Sequence, residues 1–142
     1  MKNRGITLSH NSSNFFNLDL YGIIIKGDKM KFKINNREWE IKEITKEEII
    51  QIYEKETKQE TITVYGITKF ENNIIYLNKE MCYDMKKQTL MHELMHCYIK
   101  EYISLSVEEF NDEELCNISA NSHDIIHNIV EEYFRNWQRI KK

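Results

Sequence analysis

His92, Glu93 and His96, in the segment TLMHELMHCY, spell H-E-x-x-H. Residues four apart on an α-helix share one face about a turn from each other, so the two imidazoles can aim their nitrogens at one point. Glu93 projects beside that face, where its carboxylate can hold and deprotonate a metal-bound water without itself binding the ion. Two neutral imidazoles and a carboxylate, with one position left to water, form the usual environment of catalytic zinc. The expected cofactor is therefore Zn2+, with His92 and His96 as ligands, Glu93 as base and a third protein ligand still to be found.

With five histidines and many glutamates, chance gives such a match in roughly 2% of chains of this composition, so the neighbouring sequence has to decide its meaning. The motif falls on a helix predicted over residues 84–103, which has strong helix formers, neither Gly nor Pro, and Leu90, Met91, Leu94, Met95, Tyr98 and Tyr102 at three- and four-residue spacings. A metzincin would need glycine at position 99 and histidine at 102; Ile99 and Tyr102 exclude that subclass. The third ligand is then expected on a second long helix, predicted from an Asn111/Glu114 capping box to about Trp137. Glu113 and Glu114 are the candidates. Glu114 borders the apolar stripe of Leu115, Ile118, Ile125, Ile126, Ile129, Tyr133 and Phe134. Glu113 shares a side with Cys116 and Ala120, small residues that would let this helix approach the motif helix closely, and Asn117 four residues on could hydrogen-bond a ligand.

Other chemistry-bearing residues have plainer readings. His123 and His127 are an i, i+4 pair, read first as polar-face histidines, with a second metal site or a transition-state donor as alternatives. An oxyanion donor could come from Tyr65, His123 or Tyr133. His10 reads as solvated, and VEEFNDEE as a helix-capping acidic run rather than a calcium loop, since it lacks the glycine and alternating ligands. Cys82, Cys97 and Cys116 form no C-x-x-C pair and read as buried or half-buried free thiols.

The elements that must position the motif follow from local patterning. Residues 1–44 are β-rich, with LDLYGIII apolar and β-branched and KMKFKINNREWEIKEI alternating about an Asn35-Asn36 hairpin turn. Thr45 and Glu48 have capping-box spacing ahead of a short amphipathic helix. Two β-like runs, 61–67 and 74–77, flank a turn in KFENN, and a loop is expected at 104–110. The fold class is α+β: an antiparallel sheet, the motif helix and a long C-terminal helix carrying the third ligand.

A chain of 142 residues with no proline, four glycines and no repeat is expected to be one domain over 1–142, with a motif-bearing core at 61–140. A net charge of -3 argues against a nucleic-acid surface, and no signal-like or membrane-spanning run occurs, so a cytoplasmic location is expected.

YGITKFENNIIYLN followed by QTLMHELMHCY resembles the small zincin-like metallopeptidases of phages and other mobile elements, where a Y-G-x-T strand precedes a T-L-x-H-E-L-x-H helix. DEELCNISA is similar to the E-x-x-A-[ND]-x-F-A pattern of the ImmA/IrrE family, although Cys116 and Ser119 depart from it. SprT-like proteases share the H-E-L-x-H helix but place a histidine where this chain has Asn111. The resemblance implies zinc on His92, His96 and Glu113, with Glu114 the alternative, Glu93 as general base, and hydrolysis of a peptide or protein lying extended along an edge strand. A different expectation on the same scaffold is a catalytically inactive binding protein of a phage or mobile element, with zinc structural or vestigial.

Overall fold

The computed structural model describes residues 24–26, 29–57, 65–103 and 111–141. Expectations that fall on residues 1–23, 61–64 and 104–110, His10 among them, lie outside the described residues.

Five strands form one sheet in the order β1-β2-β3-β5-β4: β1 (Ile24–Lys26), β2 (Lys29–Ile34), β3 (Arg37–Ile44), β4 (Gly66–Lys69) and β5 (Ile74–Asn78). In β2 the lysines 29, 31 and 33 face solvent while Met30, Phe32 and Ile34 are buried, the period-two pattern of a strand with one covered face. Asn35 and Asn36 join β2 to β3 with φ of 52° and 65°; a two-residue turn with both central residues left-handed matches the twist of the strands, and asparagine tolerates it. The β-rich N-terminal portion and the later hairpin are thus parts of one sheet, and three of its four joints are antiparallel as expected. The fourth is not: β3 and β5 run parallel, because the chain between them leaves the sheet through α1 (Lys46–Thr57). β4 also sits later than the 61–67 run suggests, extending to Lys69, so that the turn is Phe70–Asn73 with Asn73 at φ 57°.

α1 starts at the expected capping box. The Glu48 amide donates to Thr45 Oγ1 at 3.2 Å, and the Thr45 amide and hydroxyl donate to Glu48 Oε1 at 3.0 and 2.9 Å. On one face of the sheet, Phe32, Ile34, Trp39, Ile41, Ile75 and Leu77 form the core with Leu90, Leu94, Cys97 and Tyr98 of α2 (Tyr83–Tyr98) and Ile126, Ile129, Val130, Tyr133 and Phe134 of α3 (Asp112–Lys141). Ile44 and Ile49 are buried outside that cluster, where α1 packs on β4 and β5. Among the described residues no helix is long and apolar enough to cross a membrane.

Alternation along β3 puts Glu43 on the same face as Ile41, under the helices. The fully buried Lys86 of α2 donates from Nζ to Glu43 Oε1 at 2.9 Å, and the Tyr133 hydroxyl of α3 donates to Oε2. One carboxylate therefore ties the sheet to both helices. Beyond Tyr98 the helix widens into a π-turn, Ile99–Ile103, which docks on the β2–β3 turn: Trp39 Nε1 donates to Glu101 Oε2 at 2.8 Å, and Arg37 pairs with Oε1 at 3.1 Å.

Glu43→Ala takes the carboxylate away from the buried Lys86 ammonium and should cost about 3–5 kcal/mol, read as a fall in the urea midpoint, whereas a near wild-type midpoint would show that the pair is not closed. The Thr45 N–H, then its hydroxyl, hold the Glu48 carboxyl below the ordinary glutamate range. A lowered folded value means that the stabilisation is present above the unfolded range and is lost as pH falls through the folded value. Carboxyl NMR titration should accordingly place Glu48 higher in Thr45→Ala than in the wild type.

Candidate metal centre and general base

The phase of α2 is set by Leu90, Leu94 and Cys97, which are fully buried, and it fixes where the motif points. Glu93 shares the buried side, at 6% exposure, while His92 and His96 turn outward. Their ring centroids are 5.0 Å apart with the planes at 79°, and neither imidazole has a hydrogen-bond partner among the described residues. Two exposed imidazoles with nitrogen lone pairs uncommitted, one turn apart beside a buried carboxylate, suit a divalent metal of the zinc type.

β4 lies directly against this helix. An added Cβ on Gly66 would stand 2.8 Å from Thr89 Cγ2 and 3.3 Å from Glu93 Cγ, so the strand approaches more closely than any side chain permits. Two residues on, Thr68 Oγ1 donates to Glu93 Oε1 at 2.5 Å and sits 3.4 Å from the Glu93 carbonyl oxygen. Two further on, the Phe70 ring meets His96 edge-on at 6.2 Å. The turn holding Phe70 is itself clamped by Lys100, whose ammonium donates at 2.7 Å both to the Phe70 carbonyl and to Asn73 Oδ1. Thr68 entered the sequence reading only as the last residue of the Y-G-x-T strand, and Phe70 only within the KFENN turn; the available signal was the alternation that puts Gly66 and Thr68 on one side of β4.

Glu113 and Glu114 are both exposed in the first turn of α3, and among the described residues no group of three or more His, Cys, Asp or Glu side chains is arranged to hold a metal. The structure does not bring either glutamate to His92 and His96. The expected close approach through Cys116 and Ala120 is not found: both are exposed, and Leu115, though on the apolar stripe, is 50% exposed, because α3 first meets the core at the half-buried Ile118 and is buried only from Ser122 onward. Glu114 is engaged in the expected capping box, donating its amide to Asn111 Oδ1 at 2.8 Å and accepting the Asn111 amide at 3.0 Å. Glu113 has no hydrogen bond or ion pair among the described residues.

Of the suggested oxyanion donors, Tyr133 donates its hydroxyl to Glu43, and Tyr65 falls on the opposite face of β4 from Thr68. His123 is exposed beside Asp124, and its ring stacks on that of His127 at 5.7 Å. Cys82 and Cys116 are exposed, contrary to expectation; Cys97 alone is buried. Its thiol donates to the Glu93 carbonyl at 3.4 Å, and burial, then the charges of Glu93 and Glu101, push it far up, so it is an unreactive packing group.

An α+β layer with an H-E-x-x-H helix laid against β4, the edge strand of the sheet among the described residues, defines a zincin-like domain of metallopeptidase type. The IrrE N-terminal-like domain of Peptidase M78 matches residues 45–123, more than half of the chain, and the protein belongs to that family. Comparison with curated proteins and with solved structures gives no significant match.

Gly66→Ala should destabilise the fold by about 1–3 kcal/mol through overpacking. Thr89→Ser removes the methyl that the new Cβ would strike, so the double variant should recover part of the loss in thermal melts. Equal melting of wild type and Gly66→Ala would contradict the close approach.

Proposed function

We propose that the protein is a zinc metallopeptidase acting on an extended peptide or protein segment. The observation that supports this best is the buried Glu93 carboxylate, hydrogen-bonded by Thr68 and flanked on the outer face of the same helix by the uncommitted imidazoles of His92 and His96. His92 and His96 would supply two ligands and Glu113 the third. Glu114 is the poorer choice, since drawing it away would uncap α3 at a cost of about 1 kcal/mol. When bound, zinc would polarise the scissile carbonyl and lower the pKa of a water towards neutrality. Glu93 accepts the proton of the attacking water and passes it to the leaving amine as the C–N bond breaks.

The edge strand offers the place for the substrate. The Asn78 amide donates to the Tyr65 carbonyl at 3.0 Å, and with Gly66 opposite Leu77 this makes Gly66 and Thr68 members of the non-hydrogen-bonded pairs. Their own N–H and C=O groups therefore face away from β5, on the side of β4 where no strand pairs among the described residues and an extended chain could do so. No nucleic-acid partner is proposed, given the net charge of -3.

The alternative is a non-catalytic binding protein on the same scaffold, favoured by one observation: no third ligand is assembled among the described residues. Elemental analysis without zinc, or with zinc closed by a fourth protein ligand, would support it. Under the peptidase proposal, Glu93→Gln keeps stoichiometric zinc and loses hydrolysis of an unstructured protein substrate by about 10²–10⁴-fold; undiminished proteolysis by that variant would sink it. Glu113→Ala should weaken zinc binding at unchanged melting temperature, while Glu114→Ala should lower the melting temperature at unchanged zinc affinity. The reverse pattern would transfer the ligand role to Glu114.

A further inference from the structure

We infer that Thr68 is a positioning residue for Glu93, fixing which carboxylate oxygen is free to work; this rests on the hydrolytic role proposed for Glu93. The Thr68 hydroxyl is the one hydrogen-bond donor to the Glu93 carboxylate among the described residues, and it takes Oε1 at 2.5 Å. Oε2 receives no hydrogen bond from them.

A glutamate has three side-chain torsions, and its last is broad and two-fold. Burial at 6% exposure confines Glu93 without choosing between the two orientations of its carboxylate. A donor aimed at one oxygen does choose. Threonine is suited to the task, because its β-branched side chain is stiff at χ1 and can hold the hydroxyl in one direction. The backbone beneath it is equally restrained: Thr68 pairs with Ile75 in the β4–β5 ladder, and Gly66 lets the strand lie close enough to the helix for so short a side chain to reach.

The same residue presents its main-chain N–H and C=O to the open edge. A peptide paired there is therefore registered against the residue that orients the base, and Oε2 is held at a fixed place relative to the bond to be cut. Misplacing a reacting group by about 1 Å can cost on the order of 10²-fold in rate.

The test uses Thr68→Val, which keeps the shape of the side chain and removes the donor, and Thr68→Ser, which keeps the donor. Each full-length, zinc-loaded variant is assayed with a fluorogenic peptide cleaved by the wild type, and its Glu93 carboxyl ¹³C resonance is recorded. Thr68→Val should lose about 10–100-fold in kcat with KM within about twofold of wild type and unchanged zinc content, and its Glu93 carboxyl resonance should shift. Thr68→Ser should recover most of the kcat and the wild-type resonance. Wild-type kcat in Thr68→Val, or a loss confined to KM, would overturn the inference. If the wild type binds zinc but cleaves nothing, the peptidase proposal fails on its own, and the carboxyl resonance still decides Thr68: an unchanged position in Thr68→Val overturns its positioning role.

Discussion

A charge on the covered face of a sheet must be met by other polar groups, and Glu43 is met from two helices at once. Lys86 reaches it from the first turn of α2 and Tyr133 from the C-terminal half of α3. Removing one partner of such a cluster leaves an uncompensated group in the core, which disfavours alternative helix placements more strongly than apolar contacts do, since these tolerate sliding. Lys86 thus shares the buried side of α2 with Leu90, Leu94 and Cys97, and that phase puts Glu93 inside and His92 and His96 outside. Held at its far end by Tyr133, α3 buries none of its residues before Ser122, although the half-buried Ile118 already packs against the core.

The site itself arises from matching two periodicities. Alternate residues of a strand lie about 6.8 Å apart, and residues three or four apart on a helix rise about 4.5–6 Å. A strand laid along a helix can therefore meet it in step for a few residues. β4 does so with Gly66 at Thr89, Thr68 at Glu93 and Phe70 at His96. The motif helix alone places two imidazoles and a carboxylate; the strand beside it determines how that carboxylate is held and how one imidazole ring is packed.

Most of the framework was legible because it depends on local signals. Both capping boxes, the Asn35-Asn36 turn and the two helices around the motif appear where threonine, asparagine, glutamate and the apolar spacing put them. The parallel pairing of β3 with β5 was hidden, because pairing direction depends on where the chain returns after α1 and no short segment encodes that. The later end of β4 was hidden for a related reason: TITVYGITK is β-prone throughout, and beyond Lys69 the turn is held by the Lys100 clamp on Phe70 and Asn73, about thirty residues away. Periodicity likewise overstated the burial of Leu115, since a helical stripe shows which side faces a core but not how far the core extends.

The third ligand is where local and global constraints part. At the start of α3 the sequence places two adjacent carboxylates, and helix capping divides them: Glu114 completes the box with Asn111, and Glu113 is left with no hydrogen bond or ion pair among the described residues. An exposed carboxylate with no partner in a helix's first turn is already favoured there by the helix dipole, so nothing in the protein pulls it elsewhere, and only a cation would. The first turn of α3 contributes no buried residue, so a movement that carried Glu113 toward His92 and His96 would leave intact the Glu43 cluster that ties α2 to the sheet. If zinc binds as proposed, metal binding and folding would be separable in this domain: the Glu43 cluster holds α2 and the far half of α3 without drawing on the first turn of α3, where Glu113 lies.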